Sequence, residues 1–458
     1  MRCRMEFPLR RRQVAAPYRA NRACLGRLAV QAVHCCPGGE VDVNQPGSAN
    51  DLCEACTTMN RSSIALCNLR AAVIIIVLAF HSVLPYLASL PAAAYPFDSA
   101  PYQWLAFPIV DKERWFGFDL FCAWQDVGLM TLMFFLSGLF VPSSLARKGN
   151  WKFLSDRLLR IGIPFVLAVI FLAPLAYYPA YRSTAVDPSL NTYWQHWLSL
   201  PFWPSGPQWF LWQLLALNIL ATAMHAFVPG WGERLVRLVA FAGGNPVRFF
   251  VVLVTISALA YIPLALAYSP FPWTNIGPIS FQLSRPLHYL VYFFAGFAVG
   301  TYGLDRGLLA SDGVLARRWA AWVAAAFFGF LLWAAPTSMT MTDWTNAPLF
   351  LKFAAGMGFV VACAAGCLCL LAICLRFAHE RRRAFDSLSA NAYRMYLVHY
   401  GFAVWLQYML LDAALFAIAK AAIVFGGTLI MSWTIAAVMG GVPMTSRLNA
   451  AIRGVHRA

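Results

Sequence analysis

The stretch Arg70–Ser82, RAAVIIIVLAFHS, opens on a guanidinium, runs through ten consecutive apolar residues and reaches an imidazole at His81. Extended to residue 91, the run is long enough to cross about 30 Å of hydrocarbon at about 1.5 Å per residue, which predicts a transmembrane helix over 70–91. Eleven steps of about 100° return Arg70 and His81 to one helix face, about 16 Å apart in depth. His81 is thereby expected near mid-membrane, where an ionisable side chain is costly enough to mark a functional site. A histidine bonded only to a neighbouring helix is the alternative; Arg70 on the same face favours function.

Outward from this segment the pattern repeats. The 458 residues are 60% hydrophobic and 12% charged, which excludes the soluble domains that length alone would suggest. Further apolar blocks fall at about 117–142, 161–179, 208–228, 249–268, 286–302, 319–335, 353–375, 391–411 and 413–439, each a helix candidate. The expected fold is all-α, a polytopic transmembrane bundle of about ten spans, with the lipid bilayer as its solvent. The net charge of +16 does not point to nucleic acid, because Lys and Arg sit between apolar blocks rather than along one soluble face. With the N-terminus in the cytosol, Arg147, Lys148, Lys152, Arg157 and Arg160 fall inside, as do Arg317, Arg318, Arg381, Arg382, Arg383 and, after the last span, Arg447, Arg453 and Arg457. Few basic residues are left outside (Lys112, Arg114 and Arg182), and this bias fits both termini in the cytosol of an inner or plasma membrane.

Residues 1–58 differ from the rest, being Arg-rich and without an apolar run long enough for a signal peptide. They read as a disordered cytosolic tail ahead of a membrane domain over 59–458, with Met59 a second candidate start. The Cys53-x-x-Cys56 pair has no partner pair at zinc-site spacing, so no metal site is expected. Cys363, Cys367 and Cys374 share one helix face and read as packing. The outer loops are aromatic, as in Tyr193-Trp194-Gln195-His196-Trp197, and an interfacial belt or a sugar-stacking surface accounts for them.

Arg70, ten intervening residues and His81 have the spacing of a motif in the first span of the acyltransferase 3 family of membrane acyltransferases, and the chain resembles that family further. The resemblance continues through FFLSGLF (Phe134–Phe140), RLLRIGIPF (Arg157–Phe165), QWFLWQLL (Gln208–Leu215) and NAYRMYLVHY (Asn391–Tyr400), over roughly residues 66–440. The RIGIP segment is similar to the glucan-modifying branch. The resemblance implies a cytosolic acyl-CoA donor, acting as a substrate with no bound cofactor, and a carbohydrate or other hydroxyl acceptor.

Residue chemistry is compatible with this. A neutral imidazole, of reference pKa about 6.5, suits removal of the hydroxyl proton as it attacks an acyl carbonyl; His81 takes that role or carries the acyl group covalently. Arg70, Arg157 and Arg160 suit the phosphates of a CoA thioester or simple anchoring by positive charge. Asp119 and Asp126, two carboxylates in one span, suggest a polar cavity, with Asp126 a candidate to orient His81. Ser137 beside Gly138 reads as close helix packing rather than a nucleophile. Arg285 and His288 are candidates to contact the acceptor, with interface snorkelling the alternative, and Arg394 and His399 are candidates to line the cavity, with plain packing the alternative for His399. A transporter or flippase of an envelope molecule is the competing reading, disfavoured because no interrupted spans recur in corresponding halves.

Overall fold

With no water to satisfy backbone amides in hydrocarbon, the apolar runs close their own hydrogen bonds as helices. The computed structural model describes residues 61–228, 230–242 and 245–441; the tail expected over 1–58, Cys53, Cys56 and the basic residues Arg447, Arg453 and Arg457 lie outside them. In chain order the helices are α1 (Arg61–Val83), α2 (Phe116–Leu139), α3 (Val141–Arg157), α4 (Ile163–Leu167), α5 (Ala173–Arg182), α6 (Leu190–Ser199), α7 (Trp209–Phe227) and α8 (Trp231–Ala242). There follow α9 (Pro246–Tyr268), α10 (Pro286–Tyr302), α11 (Val314–Arg317), α12 (Trp319–Thr340), α13 (Leu349–Phe377), α14 (Arg383–Met409) and α15 (Ala417–Gly441). The fold is an all-α polytopic membrane bundle. Its one sheet among the described residues is a hairpin, β1 (Thr274–Ile276) with β2 (Ile279–Phe281), turned by Gly277 at φ 55° followed by Pro278.

Among the described residues, eight helical stretches are long and apolar enough to cross a membrane. The other two blocks expected as spans, 286–302 and 391–411, are present as α10 and within α14; α10 has 17 residues and continues after an 88° bend towards α11. The third stretch is longer than its apolar block, because α3, α4 and α5 join through π-helical turns at Leu158–Gly162 and Ala168–Leu172 into one path over Val141–Arg182. The first helix is already formed at Arg61, well ahead of residue 70. Its polar first turns are tied down, with Ser62 Oγ donating to the Leu309 carbonyl at 2.8 Å and Asn68 Nδ2 to those of Ala378 and Glu380 at 2.7 and 3.0 Å. It ends at Val83 because Pro85 starts a 3-10 turn over Leu84–Tyr86. His81 therefore stands two residues from the end of its helix rather than near its middle.

The most enclosed helix is α13, which packs on α1, α2, α9 and α12. Glycines set the closest approaches. A Cβ on Gly138 of α2 would lie 1.9 Å from the Phe293 carbonyl oxygen of α10, and Cβ atoms on Gly296 and Gly300 would lie 2.0 Å from those of Phe135 and Leu139. Small residues four apart let two backbones touch where lipid gives helices no hydrophobic reason to associate. Gly128 and Gly366 face each other more loosely between α2 and α13, where a Cβ on Gly366 would lie 3.1 Å from the Gly128 Cα.

The chain between α1 and α2 is fastened to α15 by an ion pair. Lys420 Nζ lies 3.1 and 2.9 Å from the two Asp111 oxygens and 3.1 Å from the Leu411 carbonyl, and both side chains are 1% exposed. The Asp111 and Trp115 amides in turn donate to the carbonyls of Pro85 and Tyr86. Removing one partner of such a pair strands the other charge. Lys420→Met is expected to cost about 3–5 kcal/mol and lower the thermal midpoint of the detergent-solubilised protein, whereas the pair of changes Asp111→Leu with Lys420→Met recovers a large part of it.

Candidate active site

A cavity of about 140 Å³ opens between α1, α2, α7, α10 and α14 beneath the hairpin. His81 enters from α1, Gln125 and Asp126 from α2, Trp209 and Gln213 from α7, Arg285 and Tyr289 from the start of α10, and Tyr396 from α14. The hairpin and its flanks bring Trp273, Phe281 and Gln282.

The local sequence explains why His81 is held there. In a continuous helix the His81 carbonyl would accept the amide of the residue four positions on; that residue is Pro85, which has none. Gln407 fills the gap from α14, its Nε2 donating to the His81 carbonyl at 2.6 Å. The imidazole is flanked by Phe80, His399 and Tyr400, with ring centroids at 4.9, 5.0 and 5.2 Å, and its Nδ1 is enclosed without a hydrogen-bond partner among the described residues. His399 is fully buried, and its Nδ1 lies 2.7 Å from the Tyr396 carbonyl. A carbonyl only accepts, so Nδ1 carries the proton and Nε2 of the neutral ring is left as an acceptor.

Asp126 and Arg285 form a bidentate pair, Nη1 to Oδ1 at 2.6 Å and Nη2 to Oδ2 at 2.7 Å. Nη1 also reaches the Tyr289 hydroxyl at 3.2 Å, and the guanidinium lies 5.0 Å over the Phe359 ring. Both Asp126 oxygens are thus engaged by Arg285, and no hydrogen bond joins Asp126 to His81. Arg285 is the residue just before α10, and Pro286, at the first helical position, fixes it there.

The remaining candidates lie elsewhere. Asp119 accepts the Ala88 and Ser89 amides at 2.7 and 3.1 Å and so shapes the loop after α1. Ser137 Oγ donates to the Met133 carbonyl one turn back, at 2.8 Å. His288 is wholly buried among Tyr261, Tyr292 and Phe359, with neither nitrogen bonded, and it does not line the cavity. Arg394 bonds Asn391 at 3.3 Å and abuts Gly440 of α15. Arg70, half-buried, makes no hydrogen bond or ion pair with another described residue. Arg157 lies 4.8 Å over Phe153, and the exposed Arg160 accepts the Tyr393 hydroxyl on its backbone carbonyl at 2.6 Å.

The aromatic outer loops turn largely inward. Phe97 stacks on Trp104 at 4.3 Å, and Tyr177, Tyr181, Tyr193 and Trp197 are buried with them. Trp194 and Trp203 stay exposed. This cluster reaches the site through Tyr400, whose hydroxyl is 3.4 Å from that of Tyr177. At its edge the hydroxyl of Thr192 and the amide and hydroxyl of Ser189 bond Asp187 and hold its carboxyl below the ordinary range.

Residues 64–437 match the family model described as an acyltransferase domain, that of the acyltransferase 3 family. The chain belongs to this family. It is a membrane acyltransferase, transferring groups other than aminoacyl groups, and it works on an acyl donor and an acceptor. No curated protein and no solved structure is detectably similar to it.

Sequence reasoning passed over Gln407 and Tyr289. Gln407 carried one signal, the proline four residues after His81, which frees a carbonyl that some donor must meet. Gln407→Leu is expected to orphan that carbonyl at a cost of about 1–3 kcal/mol and to reduce acyl transfer, read as ester formed per membrane-inserted protein. Ser137→Ala, measured alongside, is expected to transfer at the native rate.

Proposed function

We propose that this acyltransferase moves an acyl group from a cytosolic acyl-CoA to a hydroxyl of an envelope carbohydrate or other exported molecule, with His81 as general base. The observation that carries the reading is the His81 imidazole on the wall of the cavity that also holds the Asp126–Arg285 pair. The acceptor oxygen bonds to the acyl carbon while His81 takes the hydroxyl proton. The tetrahedral intermediate then collapses, the carbon–sulfur bond breaks, and the departing thiolate takes the proton back from the imidazolium.

The size of the cavity limits what enters it. An apolar cavity of about 150 Å³ holds a molecule the size of benzene, and whole-ligand pockets run to about 300–1,000 Å³. A cavity of about 140 Å³ therefore suits the acyl group and the reacting hydroxyl, with the bulk of both substrates outside. Indole faces and the amides of Gln125, Gln213 and Gln282 suit an acceptor rich in hydroxyls. Arg70 lies on the His81 face of α1, about 16 Å away, which suits a donor whose phosphates and thioester are joined by a long flexible arm. Arg157 and Arg160 suit the same phosphates. The basic loops would then face the cytosol, with both termini on that side of an inner or plasma membrane.

Mass spectrometry of envelope glycans and lipids tests this in cells carrying the native protein, a deletion, or His81→Ala at matched membrane abundance. The expected result is loss of one acyl-ester mass in both altered strains. Full acylation with His81→Ala would remove the imidazole from the mechanism.

A further inference from the structure

A guanidinium has five N–H bonds in a fixed fork, and those of Arg285 can be accounted for one by one. One hydrogen on each terminal nitrogen goes to Asp126, and Nη1 also reaches the Tyr289 hydroxyl. What remains is the edge made by Nε–H and the second hydrogen of Nη2. Nε is enclosed and has no hydrogen-bond partner among the described residues. Buried donors are nearly always paired, so one left unpaired in a site calls for an oxygen to meet it.

Its setting says which oxygen. Among the described residues lining the cavity, Arg285 is the only Lys or Arg and Asp126 the only carboxylate, so the pair is close to neutral. A free carboxylate bound there would add a charge that no second Lys or Arg of the lining compensates. A carbonyl adds none in the ground state and develops negative charge only as it is attacked. Arg285 also stands at the N-terminal end of α10, where the helix dipole favours negative charge and disfavours a cation. Helix stability therefore gives no reason for an arginine here. Asp126, Tyr289 and Phe359 hold the guanidinium from three sides, so it stays in place when the charge appears.

We propose that the Nε/Nη2 edge of Arg285 is the oxyanion donor of the reaction: it binds the acyl carbonyl oxygen and stabilises the tetrahedral oxyanion formed when the acceptor hydroxyl attacks. Arg285 is then a catalytic residue, Asp126 and Tyr289 are positioning residues, and the acyl group is one without a carboxylate of its own. This deepens the proposed function and rests on His81 being the base in the same cavity. A sphere of about 140 Å³ is about 6 Å across, so one reacting carbon fits between a base and a donor that each act over about 3 Å. Bond changes are those already given; Arg285 neither gains nor loses a proton.

The test uses membranes containing the full chain, their own envelope material as acceptor, and radiolabelled acetyl-, propionyl- and succinyl-CoA as donors. Native protein, Arg285→Lys, Arg285→Gln, Tyr289→Phe and His81→Ala are compared at matched abundance and matched thermal midpoint. Native protein is expected to use acetyl- or propionyl-CoA. For that donor, Arg285→Gln and Arg285→Lys are expected to lower kcat by about 100-fold or more, the loss on removing one oxyanion donor, with donor KM within about threefold of native. Tyr289→Phe, which frees Nη1 to swing, is expected to lower kcat by about three- to tenfold at unchanged KM. Three results would overturn the proposal: transfer by Arg285→Lys within fivefold of native, a rise in KM at unchanged kcat, or native use of succinyl-CoA that the Arg285 changes selectively abolish. The His81→Ala arm separates the two readings. If it is inactive while Arg285→Lys is active, only the oxyanion assignment fails; if it is active, the base assignment fails.

Discussion

Hydrocarbon offers no hydrogen-bond partners, and the polar groups that anchor this chain's site are met by groups from distant parts of the sequence. The His81 carbonyl, freed by Pro85, is met by Gln407; Asp126 by Arg285; Asp111 by Lys420. These long-range bonds form a connected set around the end of α1. Lys420 holds both the segment that pins Pro85 and the turn that follows α14. From α14 come Gln407 and the rings of His399 and Tyr400 that enclose His81. An imidazole two residues from a helix end would ordinarily fray with it; here the end is fastened on two sides.

The bundle that carries these bonds is drawn together by glycines rather than by burial of apolar surface. The backbone contacts of Gly138, Gly296 and Gly300 bring α2 against α10. That places Asp126 and Arg285, one on each helix, within reach of a bidentate pair. Close packing and chemistry are thus linked: a side chain in that seam would separate the two walls of the cavity. The FFLSGLF stretch supplies Gly138 for this contact, and its Ser137 is spent on its own helix.

Membrane placement and helix content were legible because they depend on local composition, and His81 stood out as a candidate, later found on the cavity wall, through its spacing along one helix. Arg285 was legible as a candidate to contact the acceptor but not as the partner of Asp126, since two residues 159 positions apart leave no mark on each other's neighbourhood. Asp119 and Asp126 look alike in sequence, two carboxylates in one span, yet one holds loop amides and the other an arginine. The aromatic loops read as a belt or a sugar platform, while the structure folds most of their rings into a cluster behind Tyr400. Composition records how many rings there are and not which way they turn.

By itself the sequence determined the solvent, the helices and the family, because hydropathy and motif spacing along a helix are local properties. Tertiary structure decided which charges share a cavity, where α1 ends, and which donor of Arg285 remains unpaired. Those depend on pairings between helices, fixed by glycine contacts and buried hydrogen bonds that only the assembled bundle brings into range.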